Sequence, residues 1–274
     1  MSVRRIETVM GLPVSMDVRD ERTPALDAAL DRAFAVLHDA EARFSAWHGG
    51  SELSRLRRGE VREPSPDMRE VLQIARSARA RSGGVFDVRS PEGVLDTDGV
   101  VKGWAAQRAA DVLVAAGVRD FCLNAGGDTV VHGEPEPGRP WRVGVRDPWD
   151  PTTTVAVLSV RDGAVATSGT YERGAHVWDG RTGSRHLELV AATVVARDLC
   201  TADVLATTVL AMGEAGPAWA VAHGAVAAFA LTPDARAVDA GTFAAGAFAV
   251  RASDVGAGPA RHGPRPRELS RASS

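Results

Sequence analysis

The chain has 274 residues, with 32 Lys or Arg against 35 Asp or Glu, for a formal charge of −3. That balance argues against a nucleic-acid binder working through a basic surface, and 45% apolar with 24% charged residues suits a globular chain with its own core. No apolar run approaches the roughly 20 residues of a membrane span.

The start, MSVRRIETVMGLPVSMDVRD, has no apolar stretch or cleavage site of a signal peptide, so a cytoplasmic location is expected. Cys122 and Cys200 are too few for a disulfide framework or a zinc cage.

In chain order, residues 4–18 read as extended, interrupted at Gly11-Leu12-Pro13. Leu26, Leu30, Phe34, Leu37 and Ala40 recur at helical steps and predict a helix to Phe44. Ser51 reads as the cap of a short helix ending near Gly59, and Pro66 opens another that stops at Ser82-Gly83-Gly84. A long helix is expected over about 103–116. Strands follow over 119–132, 141–146, 153–160, 163–168 and 188–196, then helices over 199–212 and 215–223. Closing strands are expected over 225–231 and 246–251, and the segment from 252 has too little to bury, so it reads as a disordered tail. Helices, then strands, then helices make an α+β domain over 1–251, with no linker that divides it.

Four segments gather glycines, carboxylates and hydroxyls. They are Ser82-Gly83-Gly84-Val85-Phe86-Asp87, Leu95-Asp96-Thr97-Asp98-Gly99-Val100-Val101-Lys102-Gly103, Leu123-Asn124-Ala125-Gly126-Gly127-Asp128 and Ala202-Asp203-Val204-Leu205-Ala206-Thr207. Lys102 is the only lysine in the chain, beside 31 arginines. A compact ammonium near a helix N-terminus suits phosphate. Asp203 and Thr207, four apart on a helix, share one face and could form part of a Mg²⁺ shell. On spacing alone an Asp favouring a helix start and a Thr bonding back to a carbonyl is the better reading. No phosphate-binding P-loop, dinucleotide fingerprint, HExxH or GxSxG motif is present.

Taken in order, these segments resemble the ApbE family of FAD:protein FMN transferases. The resemblance runs from Met10-Gly11 to about Gly213. It includes Phe44-Ser45-Ala46-Trp47 before Ser51-Glu52-Leu53, and Trp141-Arg142-Val143-Gly144-Val145. Further along it takes in Ala166-Thr167-Ser168-Gly169, Tyr171-Glu172-Arg173, and His176 with Arg181-Thr182-Gly183. It implies a single α+β domain with a mixed or antiparallel sheet and packed helices. The implied reaction splits FAD at its pyrophosphate, attaches FMN to a Thr or Ser of a target flavoprotein and releases AMP. By the same resemblance Asp203, Thr207 and the Gly99 carbonyl are the expected Mg²⁺ ligands. Met10, Trp47, Val85, Phe86, Asp87, Asp96, Lys102 and Val177 are the expected FAD contacts. His176 is the candidate base, with Asp203 its rival. An FAD pyrophosphatase, or a protein that only holds FAD, would use the same pocket.

The sequence departs from the family pattern between Asp87 and Asp96, where eight residues replace a longer, partly helical segment. Ala206 also stands where some members carry a further acidic ligand. The expected partners are FAD and a target flavoprotein carrying an acceptor Thr or Ser, with no nucleic acid and no membrane span.

Overall fold

The computed structural model describes residues 2–170, 177–185 and 187–243. β1 (Val3–Val9) and β2 (Leu12–Val18) form an antiparallel hairpin, so the break expected near Gly11 is a full reversal of the chain. Met10 and Gly11 make it with φ of 55° and 71°, the left-handed pair that suits a two-residue hairpin turn.

α1 (Pro24–Phe44) starts with Pro in its first turn and Thr23 accepting from the Leu26 N–H. It buries the stripe of Leu26, Leu30, Phe34, Leu37 and Phe44. α2 (Glu52–Arg57) and α3 (Pro66–Arg81) are capped by Ser51 and Ser65.

α4 (Asp98–Ala115) starts earlier than the residue 103 expected. Asp98 suits the positive end of the helix, and Val100, Val101 and Trp104 are already buried there. Gly99 and Lys102 therefore stand in the first turns of a helix rather than in a junction before it.

The single strand expected over 119–132 is a hairpin of β3 (Phe121–Ala125) and β4 (Asp128–His132), turned by Gly126-Gly127 at positive φ. β5 (Trp141–Arg146), β6 (Thr154–Val160), β7 (Gly163–Gly169) and β8 (Ala191–Ala196) follow close to expectation. So do α5 (Leu199–Met212), α6 (Gly216–Ala222) and β9 (Ala227–Leu231). β10 (Ala237–Gly241), last in the order of described strands, was not foreseen, because it carries no apolar alternation. The strand expected over 246–251 and the tail from 252 lie outside the described residues.

The main sheet runs β1-β2-β3-β4-β7-β8-β9-β10 with every neighbouring pair antiparallel. Its strands alternate between two cores, as side chains of period two must. Val130, Ala164, Ala166, Ala228 and Ala230 face the core shared with α1, α4 and α5. Val131, Val165, Phe229 and Leu231 face the opposite way, against Trp141, Val143 and Leu158 of the β5–β6 hairpin. The Trp141 indole N–H donates to the His132 carbonyl at 3.1 Å and ties that hairpin to β4. This is the α+β arrangement with an antiparallel sheet and packed helices that was expected. No described helix is long and apolar enough to cross a membrane.

Candidate active site

The β1–β2 and β3–β4 turns, the end of β7 and the start of α4 meet at one end of the sheet. Between them and α5 lies a cavity of about 850 Å³. Among its lining residues are Met10, Trp47, Val85, Phe86, Asp87, Asp96, Gly99, Lys102, Val177, Asp203 and Thr207. All the site candidates from the sequence that fall within the described residues are thus brought to one place. His176 lies outside the described residues, as do Tyr171, Glu172 and Arg173.

The helical roles first open to Asp203 and Thr207 are taken by their neighbours. Asp198 caps α5, accepting from the Thr201 N–H at 2.8 Å, and Thr208 bonds back to the Val204 carbonyl at 2.7 Å. Thr207 instead points into the cavity, its hydroxyl 3.1 Å from that of Ser168. Asp203 is buried, and its Oδ2 accepts from the Gly103 N–H at 2.9 Å. In a regular helix that N–H would be aimed at the Gly99 carbonyl. Burial raises the Asp203 pKa, Lys102 opposes the rise and Asp128 adds to it.

Lys102 does not face the cavity alone. Its Nζ is 2.6 Å from Asp128 Oδ2 and 3.6 Å from Asp203 Oδ1, so two carboxylates of the chain itself share its charge. Asp128 opens β4 almost fully buried, with its other oxygen accepting from the Thr167 N–H at 2.9 Å.

The walls are held by short local devices. Met10 keeps its left-handed backbone at the rim while its N–H donates to Glu41 Oε1 at 2.9 Å. Trp47 is 95% exposed at the mouth, on a turn where Ser45 Oγ accepts from the Trp47 and His48 N–H groups. Ser82 Oγ accepts from the Phe86 N–H, and Gly180 N–H donates to the Val85 carbonyl, which fixes the Val85-Phe86 wall. The Asp87 carboxylate accepts from Arg79 Nε at 2.7 Å and from the Arg89 N–H at 2.8 Å. The short segment after it closes as a tight turn, with Ser90 N–H on the Val94 carbonyl and Asp96 N–H on the Val88 carbonyl.

Among the described residues the lining carries the carboxylates of Glu41, Asp87, Asp96, Asp98 and Asp203 against two cations, Lys102 and Arg146. Among the described residues no three His, Cys, Asp or Glu side chains gather as a metal cage. The oxygen set at the cavity is sparser: the Asp203 carboxylate, the Thr207 hydroxyl and the carbonyl of Gly99. A Cβ built on Gly99 would sit 3.6 Å from the Thr207 methyl. One buried carboxylate with neutral oxygens fits Mg²⁺, which keeps waters and takes phosphate oxygens for the rest.

Sequence reasoning gave no role to Asp128, Glu41 or Trp178 and set Ser168 aside for want of a GxSxG elbow, yet all four belong to this region. Asp128 and Ser168 stand inside motifs already noted, so their neighbours were the signal. Glu41 is one more polar residue on an amphipathic helix and gave none. Trp178 lines the cavity with its indole N–H buried and without a hydrogen-bond partner among the described residues.

The model of the ApbE family matches residues 10–92 and 89–230, two pieces that meet in the tight turn after Asp87. The chain is 32% identical to the FAD:protein FMN transferase of Vibrio cholerae over 142 residues, which is 48% of this chain and 42% of that one. With that of Rhodobacter capsulatus the identity is 37% over 134 residues, 46% of this chain and 25% of the relative. The chain thus spans less than half the length of these relatives. Its fold resembles the flavin transferase ApbE from Vibrio cholerae, with a TM-score of 0.73 and 22% identity over 88% of this chain and 96% of that one. It also resembles the ApbE protein of Thermotoga maritima, with a TM-score of 0.74 and 19% identity over 86% and 96% of the two chains. With the family model spanning most of the chain and the motif residues gathered at one cavity, the chain belongs to the ApbE family.

Proposed function

We propose that the protein is a Mg²⁺-dependent FAD:protein FMN transferase. The observation that carries this reading is the convergence of Met10, Trp47, Phe86, Asp96, Lys102, Val177, Asp203 and Thr207 on one cavity. The names of the relatives support the same substrate, and the excess of carboxylates supports the metal. Among the described lining residues carboxylates outnumber cations, so a cation would help an anionic pyrophosphate to enter.

In the proposed reaction the oxygen of an acceptor Thr or Ser bonds to the FMN phosphorus of FAD. The P–O bond to the AMP portion breaks, AMP leaves with the bond's electron pair, and the hydroxyl proton passes to a base. The candidate for that base is His176, with Asp203 its rival. There is little covalent work for the protein, so positioning and charge neutralisation dominate. Asp203, Thr207 and the Gly99 carbonyl would hold the Mg²⁺, whose chemistry is to stabilise charge on the pyrophosphate oxygens. Phe86 and Val85 form an apolar back wall, and exposed Trp47 offers a ring face at the mouth for stacking. The acceptor would be a protein whose Thr or Ser reaches that mouth.

Incubation with FAD, Mg²⁺ and an acceptor domain, with and without EDTA, tests the reading by chromatography of AMP. Asp203→Asn should reduce AMP release by about a hundredfold or more while the circular dichroism spectrum stays the same. Undiminished release in that variant would remove Asp203 from the site.

A further inference from the structure

Asp128 and Asp203 are two buried carboxylates around the half-buried ammonium of Lys102. The contacts are unequal, 2.6 Å to Asp128 Oδ2 and 3.6 Å to Asp203 Oδ1. The two carboxylate side chains are only 2% and 3% exposed, so water screens neither. Each carboxylate also has a main-chain donor of its own, Thr167 N–H for Asp128 and Gly103 N–H for Asp203.

A lysine this close to a lone buried carboxylate would close on it and neutralise it. Asp203 would then have no charge to offer a cation. The geometry points to Asp128 as a positioning residue that draws the Lys102 ammonium away from Asp203 and so leaves Asp203 able to take up a divalent cation. The inference rests on the metal reading of Asp203. Asp128 itself lies behind the cavity: it is not among the lining residues and acts only through Lys102. Without its charge, Lys102 would turn to Asp203, and a metal would have to displace it.

The test is a calorimetric titration with Mn²⁺ or Mg²⁺ alone, without FAD. Asp128→Asn keeps the side-chain oxygen that accepts from Thr167 and removes the charge. It should weaken metal binding about tenfold or more, a coupling typical of residues in one charged network. Adding Lys102→Met to that variant removes the competitor and should restore binding to within about threefold of wild type. Wild-type affinity in Asp128→Asn, or a double variant that binds no better than Asp128→Asn, would overturn the inference. Failure of the wild-type protein to bind either metal would instead overturn the metal reading beneath it.

A second measurement needs no variant. Because Lys102 is the only lysine, lysine-selective isotope labelling yields one Cε signal. That signal should stay in place when Mg²⁺ is added to the wild-type protein, since Lys102 remains on Asp128. A shift to the position of free lysine would mean that the metal expels it, contrary to the inference.

Discussion

Gly103 sets how closely two helices approach beneath the cavity. A Cβ at this position would lie 2.6 Å from Asp203 Cβ and 2.7 Å from the Leu199 carbonyl, so α4 can touch α5 only where the side chain is absent. The same contact lets the Gly103 N–H reach Asp203. Gly103→Ala should therefore destabilise the protein by about 2–3 kcal/mol in urea unfolding, as overpacking of a tight contact does. It should also weaken Mg²⁺ binding, because Asp203 moves with the helix. Wild-type stability and metal affinity together would show that the contact can relax.

At this scale the spacing of Asp203 and Thr207 was legible, since a four-residue step on a helix fixes a common face. The pairing of Lys102 with Asp128 was not. Those residues meet only because β4 and α4 are packed side by side, and no local pattern encodes that.

At the scale of elements, Glu52 joins the cap of α3 to the start of α2. Its two oxygens accept from the Ser65 N–H and the Ser65 hydroxyl, each at 2.6 Å, and Arg43 stands 3.4 Å away. Burial alone would raise the Glu52 pKa, but the Ser65 bonds and Arg43 together hold it below its ordinary value of 4.5. A carboxylate lowered in this way stabilises the fold at pH above its unfolded value, and the gain is lost as pH falls through the folded one. Glu52→Gln should cost about 1–2 kcal/mol at pH 7. The difference from wild type should shrink as pH falls below 4.5 and through the lowered folded value, where Glu52 itself takes up a proton. An equal difference throughout would show that the charge is not what binds these helices.

Helices with a cap and an apolar stripe, such as α1 and α3, were readable because both signals are local. Hairpins were harder, as extended patterning marks strand but not reversal. Residues 119–132 carry one extended pattern, and only the left-handed Gly126-Gly127 pair splits it. The start of α4 was missed because Gly99 and Gly103 resemble a loop by composition, whereas tertiary packing retains both in the helix. The tight turn after Asp87 answers the shortened segment: eight residues suffice to carry the chain from Asp87 back to Asp96 beside the cavity.

At the scale of the molecule, the sheet separates two tasks. One face with α1, α4 and α5 carries the site at its end, while the β5–β6 hairpin seals the opposite face with Trp141, Val143 and Leu158. Only Arg146, at the end of β5, extends from that hairpin to the cavity. Fold class followed from the order of helices and strands, and the gathering of distant motifs followed from the family resemblance. The cavity itself, rich in carboxylates among the described residues and open at Trp47, is a product of topology that no segment shows alone.

The most direct test of the account is the mass of a purified acceptor domain after incubation with the protein, FAD and Mg²⁺. The expected result is one added FMN, less water, on a single Thr or Ser, with an equal amount of AMP released and both products reduced about a hundredfold or more with Asp203→Asn. Free FMN and AMP with an acceptor of unchanged mass would contradict transfer and identify water as the species that attacks the pyrophosphate.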